Sequence, residues 1–292
     1  MKTRIIGLLC LAAALLLGGC SALRLGYSNG PQLAWWWIDG YFDFNSEQEA
    51  QVKQRLDRWF EWHRATQLPA LTGLLASAQQ QVQAPTTPQQ VCTWQDQARA
   101  ALEPAFQRAI ADFADIVPSL GERQFEALQA KYAKLLAEAR SEFLQPDPAE
   151  RRAETLKRTL ERLERLYGRL GEPQLKVVNA ALAASPFNPE LWIAERQRRQ
   201  ADALQTLRRL VADKADREAR VQALQALVRR SEQSPLPEVR AYQERLGDYN
   251  CQFAAQLHNA TSPAQRQRAR EALQGWEQDL RSLLVPGAAA TP

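Results

Sequence analysis

Glu122-Arg123-Gln124-Phe125-Glu126-Ala127-Leu128-Gln129-Ala130-Lys131-Tyr132-Ala133-Lys134-Leu135-Leu136-Ala137-Glu138-Ala139-Arg140-Ser141-Glu142-Phe143 is the stretch that decides the fold class. Its apolar residues, Phe125, Leu128, Tyr132, Leu135, Leu136, Ala139 and Phe143, return every three or four positions, which draws one stripe down an α-helix. The spacing recurs in Leu156, Leu160, Leu163 and Tyr167, in Val239, Tyr242, Leu246, Tyr249, Phe253 and Leu257, and in Leu273, Trp276, Leu280 and Leu283. Ala, Leu, Gln, Glu and Arg dominate, glycine is sparse, and no alternating strand pattern of useful length occurs. The expectation is an all-α fold, an elongated multi-helix bundle of about eight to ten helices with no sheet.

Prolines and cap residues place the breaks. They predict helices over 46–67, 70–83, 88–116, 122–144, 147–168, 172–184, 189–230, 236–258 and 262–284. Pro104 should kink or split the third, and the seventh should bend near Asp213–Asp216. One device recurs at helix starts. Gln48, Gln90, Gln124, Gln174 and Gln265 stand three residues after Asn45, Thr87, Gly121, Gly171 and Ser262. At that spacing a Gln side chain reaches back to the cap N–H, while Asn, Thr or Ser accepts from an early amide. The glycine versions keep half of that exchange.

The first residues follow the order of a secretory leader: Lys2 and Arg4, an apolar core from Ile5 to Leu17, then small residues. That core is too short to span a bilayer comfortably. Leu17-Gly18-Gly19-Cys20 resembles the lipobox cut by bacterial lipoprotein signal peptidase. The resemblance implies a signal peptide over 1–19, a diacylglyceryl thioether on Cys20, and membrane anchoring through two or three acyl chains. Ser21, rather than Asp, implies sorting to the outer membrane. The expected layout is a lipidated N-terminus and tether over 20–31, a helical periplasmic domain over 32–285 and a disordered tail over 286–292. A plain signal peptide or an uncleaved anchor is the competing reading.

Removing Lys2 and Arg4 with the leader leaves 35 basic against 33 acidic side chains, a net charge of +2. So balanced a chain gives no argument for nucleic-acid binding. Cys10 goes with the leader and Cys20 with the lipid, leaving Cys92 and Cys251 as an even pair in an oxidising compartment. We expect a disulfide between them; two separate buried thiols are the alternative. With two histidines, neither beside a cysteine, no metal site is expected.

Leu120-Gly121-Glu122-Arg123-Gln124 and Leu170-Gly171-Glu172-Pro173-Gln174 resemble degenerate Leu-Thr-x-x-Gln motifs of the small helical Spy and CpxP periplasmic chaperones. A wider set is similar to a family of uncharacterised proteobacterial outer-membrane lipoproteins. It comprises Tyr27-Ser28-Asn29, Trp36-Trp37-Ile38-Asp39-Gly40-Tyr41, Trp62-His63-Arg64 with Leu68-Pro69, Pro146 to Arg152, and Leu191 to Arg196. That resemblance implies a helical lipoprotein and carries over no catalytic residue.

Three candidate sites stand out. Trp35, Trp36 and Trp37 lie some fifteen residues after the lipid, suited either to contact with a membrane or partner or to packing. Three consecutive rings cannot share one helix face, so at least one should be exposed. Trp59, Trp62 and His63, with Asp57, Arg58, Glu61 and Arg64, form the densest mixture of aromatic and ionisable groups. His63 near a carboxylate would suit acid–base chemistry, and a half-buried helix-junction histidine is the plainer reading. His258, at a helix end, fits an interaction with the helix dipole. The arginines of 196–199 and 229–230 read as solvated helix faces with nearby Glu partners, and a concave basic surface that engages unfolded chains, anionic lipid or glycan is the alternative. No P-loop, dinucleotide fingerprint or nucleophile elbow is present and no cofactor is implied. The expected role is non-enzymatic: a lipid-anchored binding, scaffold or chaperone-like envelope protein. Its partners would be the membrane through Cys20 and envelope proteins or unfolded polypeptides. An envelope enzyme or activator acting on peptidoglycan or lipid, with His63 in its site, is the alternative.

Overall fold

The structure is a computed structural model that describes residues 21–284. The expected signal peptide, the lipidation of Cys20 and the expected tail 286–292 lie outside those residues. Among the described residues there are twelve α-helices, one short 3-10 turn and no strand. In chain order they are α1 Ser21–Ser28, α2 Gly30–Phe42, α3 Ser46–Thr66, α4 Leu68–Gln81, α5 Pro88–Ala114, α6 Glu122–Phe143, α7 Pro148–Tyr167, α8 Glu172–Ala184, α9 Pro189–Ala212, α10 Arg217–Glu232, α11 Pro237–Asn259 and α12 Pro263–Leu284. The 3-10 turn, Val117–Ser119, joins α5 to α6.

Two differences from the sequence reading raise the helix number above ten. The segment expected as a tether is helical: Asn29 N–H donates to Leu25 O and Leu33 N–H to Asn29 O, so hydrogen bonding carries almost unbroken from α1 into α2. Tertiary contact holds it there. Tyr27 packs edge-on to Phe60, and a Cβ on Gly30 would overlap the Phe60 ring. The helix expected over 189–230 is two. Lys214 adopts a left-handed φ of 47°, and the Asp216 side chain accepts from Ala219 N–H to start α10. Pro104, in contrast, neither splits nor ends α5. Pro104 and Ala100, whose carbonyl loses its helical donor, are both exposed, so water can satisfy that carbonyl.

The helices gather into two cores. The first unites Trp35, Phe42, Phe44, Val52, Val117, Leu120, Phe125, Leu128, Leu207, Leu210 and Leu224, from α2, α3, the α5–α6 turn, α6, α9 and α10. The second unites Ala78, Val82, Tyr167, Leu170, Val178, Leu257, Ala269 and Leu273, from α4, α7, α8, α11 and α12. Each fully buried Leu or Phe stabilises its core by about 2–3 kcal/mol. α5 runs between the cores: Ala114 lies in the first, and Trp94 packs on the second. Cys92 of α5 and Cys251 of α11 form a disulfide with Cα atoms 5.6 Å apart, which ties α5 to the second lobe.

The recurring glutamine does more than cap. All five accept at Oε1 from the cap N–H, at 2.8–3.0 Å. Four of them also donate from Nε2 to a distant carbonyl, and those four form two reciprocal pairs. Gln48 donates to Ser119 O, two residues before Gly121, while Gln124 donates to Asp43 O, two residues before Asn45. In the second lobe Gln174 donates to Ala260 O, and Gln265 donates to Arg169 O. The residue before each of these caps, Phe44, Leu120, Leu170 or Thr261, is buried. Each lobe is therefore built around two helix N-termini that clamp one another's entry turns.

Candidate binding groove and aromatic cluster

α7 is the most amphipathic helix among the described residues, yet Tyr167, at its C-terminal end, is its one buried residue. Its stripe, Leu156, Leu160 and Leu163, is only partly covered. The sequence explains the helix: Asp147 accepts from Ala149 N–H, Pro148 occupies the first turn, and Gly168 ends it at φ 71°. Tyr167 lies in the second core and Leu156, Leu160, Leu163 and Leu166 pack against it, while Leu156 and Leu163 also border a groove of about 990 Å³.

Leu156, Leu163, Leu182, Phe187, Trp192, Leu246 and Phe253 form the apolar surface of the groove. Arg151, Arg152, Arg158 and Arg162 form its rim, and no aspartate or glutamate lines it. Two of these arginines are pinned. Arg151 donates to Gln145 O and pairs with Glu190 at 3.5 Å; Arg158 donates to Glu142 O and lies 4.6 Å over the Phe143 ring. Arg152 and Arg162 are exposed and make no hydrogen bond or ion pair among the described residues. A second depression of about 540 Å³ adjoins, sharing Trp192, Leu246 and Asn250, and extends to Tyr41 and Tyr132. In its wall Arg196 packs over the Trp192 ring at 5.6 Å, and its buried Nε has no hydrogen-bond partner. Chemically the trough offers apolar contact along its length and cationic hydrogen-bond donors at its edge.

Of the remaining arginines, Arg229 is exposed, while Arg198, Arg199 and Arg230 are partly covered and engaged with carboxylates, Arg198 and Arg199 with a nearby glutamate as expected. Arg198 and Arg199 both donate to Glu195, which is 7 % exposed, and Arg230 makes a bidentate pair with Asp202 at 2.8 Å. Arg198 also donates to Arg230 O, so the network stitches α9 to α10. Burial opposes ionisation of Glu195, but hydrogen bonds and charge from Arg198 and Arg199 outweigh it and hold the carboxyl below its ordinary range. The Arg230 hydrogen bond does the same for Asp202.

Trp59, Trp62 and His63 do come together, with Tyr27 and Phe60. The His63 ring stacks on Trp59 at 4.7 Å and its Nδ1 lies 2.9 Å from Tyr27 Oη. Trp59 Nε1–H donates to Ala105 O, and Arg108 sits over Trp62. A phenol and aromatic rings surround His63, rather than a carboxylate, and it lines neither depression. Desolvation lowers its pKa below the ordinary histidine value, so the neutral ring seats α1 against α3. His258 corrects the helix-dipole reading in the same way. Its Nδ1 meets Tyr167 Oη at 2.9 Å and its Nε2 meets Ala84 O at 2.8 Å. Burial, the largest influence, lowers its pKa.

The tryptophan triplet divides by helix face. Trp35 is buried and stacks on Phe44, while Trp36 and Trp37 are 63 % and 66 % exposed. Among the described residues no group of three or more His, Cys, Asp or Glu side chains could hold a metal ion, and no helix is long and apolar enough to cross a membrane. An apolar-and-basic helical groove is what the sequence suggests for client contact, but it could not be placed from sequence because its walls come from α7, α8, α9 and α11. The overlong apolar stripe of α7 was the available signal.

These features define a class: an all-α protein of two clamped lobes with an open, arginine-rimmed apolar groove. Residues 40–240, roughly two thirds of the chain, match a family of unknown function, DUF6279, and the chain belongs to that family. No curated protein and no solved structure matches it.

Proposed function

We propose that this is a non-enzymatic binding protein of the cell envelope, lipid-anchored at Cys20 to the outer membrane and facing the periplasm. It holds apolar polypeptide segments in the groove between α7, α8 and α11. The half-covered Leu156 and Leu163 on the groove wall, bordered by unpaired Arg152 and Arg162, are the observation that carries this reading. Exposed apolar surface of this extent, rimmed by polar groups, is characteristic of interaction sites. The arginines would favour clients carrying acidic side chains beside their apolar ones. The lipobox-like Leu17-Gly18-Gly19-Cys20 supports the anchor, and the Gln-clamped helix starts accord with the resemblance to the Spy and CpxP chaperones.

The test is suppression of aggregation of a chemically denatured client by the mature protein. Leu156→Asp/Leu163→Asp should reduce the protective effect by at least about tenfold, on the scale of two lost apolar anchors. Glu161→Ala, on the outer face, should leave it unchanged. Equal protection by all three proteins would remove the groove from the account.

A further inference from the structure

α2 is apolar on both sides. Trp35, Ile38 and Phe42 face the first core. Leu33, Trp36 and Trp37, at i, i+3 and i+4, share the opposite face and are 46 %, 63 % and 66 % exposed. One exposed leucine needs no explanation, but two adjacent exposed tryptophans beside it form a patch.

The chain's own course says what covers that patch. Cys20 immediately precedes Ser21, the first residue of α1. Between Cys20 and Trp36 there is no free linker. Tyr27 is bonded to His63, and Gly30 lies so close to Phe60 that no Cβ would fit. Nearly unbroken helix from Ser21 to Trp36 spans about 22 Å along its axis, so the patch is held at a set distance from the start of α1.

We propose that the Leu33, Trp36 and Trp37 face of α2 docks into the interfacial layer of a phospholipid bilayer, with α1 and α2 acting as a rigid bracket between lipid and body. The inference rests on the lipid-anchor reading of Cys20. Indole rings are at home in that layer, where the ring is buried and the N–H stays wet. Trp37 packs against Tyr41 at 5.0 Å, and Lys131 Nζ lies 5.2 Å over the Tyr41 ring, placing a cation at the patch edge where lipid phosphates would lie. Tyr41 also lines the smaller depression. Docking would therefore hold that end of the trough beside the membrane surface.

The test uses the full-length mature, lipidated protein in phosphatidylethanolamine/phosphatidylglycerol vesicles, with and without bromine on the acyl chains. Bromine quenches only tryptophans within the bilayer. The wild-type protein should lose emission in brominated vesicles. Trp36→Phe/Trp37→Phe, which keeps the apolar face and removes the reporters, should lose at least half of that quenching while floating equally well with the vesicles. Flotation with no quenching, or with equal quenching in both proteins, overturns the docking while leaving the anchor intact. Failure to float overturns the anchor and the docking together. Self-association that shields Trp36 and Trp37 without bilayer quenching would assign the face to a second copy of this chain and also overturn the proposal.

Discussion

Gln48 and Gln124 each close the first turn of their own helix and reach across to the backbone that leads into the other's. Each is buried and uses both ends of its amide, so truncation strands a cap N–H and a loop carbonyl together. Gln124→Ala should destabilise the protein by about 2–3 kcal/mol, the scale of two buried hydrogen bonds. Urea denaturation would measure it. Combined with Gln48→Ala the losses should fall short of additivity, because both act on one pair of turns, whereas Gln124→Ala with Gln174→Ala should add. Additivity in both combinations would contradict the reciprocal clamp.

Gly30 of α2 lies so near the Phe60 ring of α3 that a Cβ would overlap it. Gly30→Ala drives a methyl group into the Phe60 ring and should lift α1 and the start of α2 from the body. Hydrogen exchange is the direct readout. Protection over residues 24–34 should fall while protection over α6 and α11 stays near wild type.

The Cys92–Cys251 bond closes a sequence separation of 159 residues. The chain-entropy relation gives an upper figure of about 5 kcal/mol for such a loop, and measured gains are commonly smaller. Reduction should lower the midpoint of unfolding. The second lobe should loosen first, since the bond fixes α5 to α11 there. Calorimetry with and without reductant tests this, and an unchanged midpoint would show that packing alone holds α5.

Both histidines are buried neutral, with pKa values depressed by desolvation. Tyr167, pushed up to about 12 by burial, stays a phenol and donates to His258 Nδ1, which leaves Nε2–H to donate to Ala84 O. The unfolded chain binds these two protons more readily. The stabilisation is therefore fully present above the unfolded histidine value of about 6.5 and is lost as pH falls through the depressed folded values. Unfolding free energy should decline between pH 7 and 5, and His258→Gln should flatten part of that slope. A stability that rises on acidification would contradict the burial of these rings as neutral groups.

Helix positions were legible because the stripes and cap residues are local. Phe125, Leu128 and Ala139 are buried where the period places them, and every glutamine read as a cap makes its hydrogen bond. What escaped was tertiary. α1 contains no strong helix signal and is held by Tyr27 and the Gly30–Phe60 approach. The bend expected near Asp213–Asp216 is a full break before α10, made by a left-handed Lys214 with no glycine to announce it. The clamps were half visible: the cap is a spacing of three, but the carbonyl that each Nε2 finds lies 71 to 96 residues away. His63 with Trp59 forms the helix junction that is its plainer sequence reading, set among aromatic rings, and the acid–base alternative finds no carboxylate hydrogen-bonded to it.

Site-specific photocrosslinking tests the binding groove most directly. A photoreactive phenylalanine analogue at Leu163, in the groove, and at Glu161, on the outer face, would be activated in intact envelopes. The account predicts polypeptide adducts from position 163 that diminish when Arg152 and Arg162 are replaced by glutamate, and few from position 161. Equal labelling from both positions, or none from 163, would contradict it.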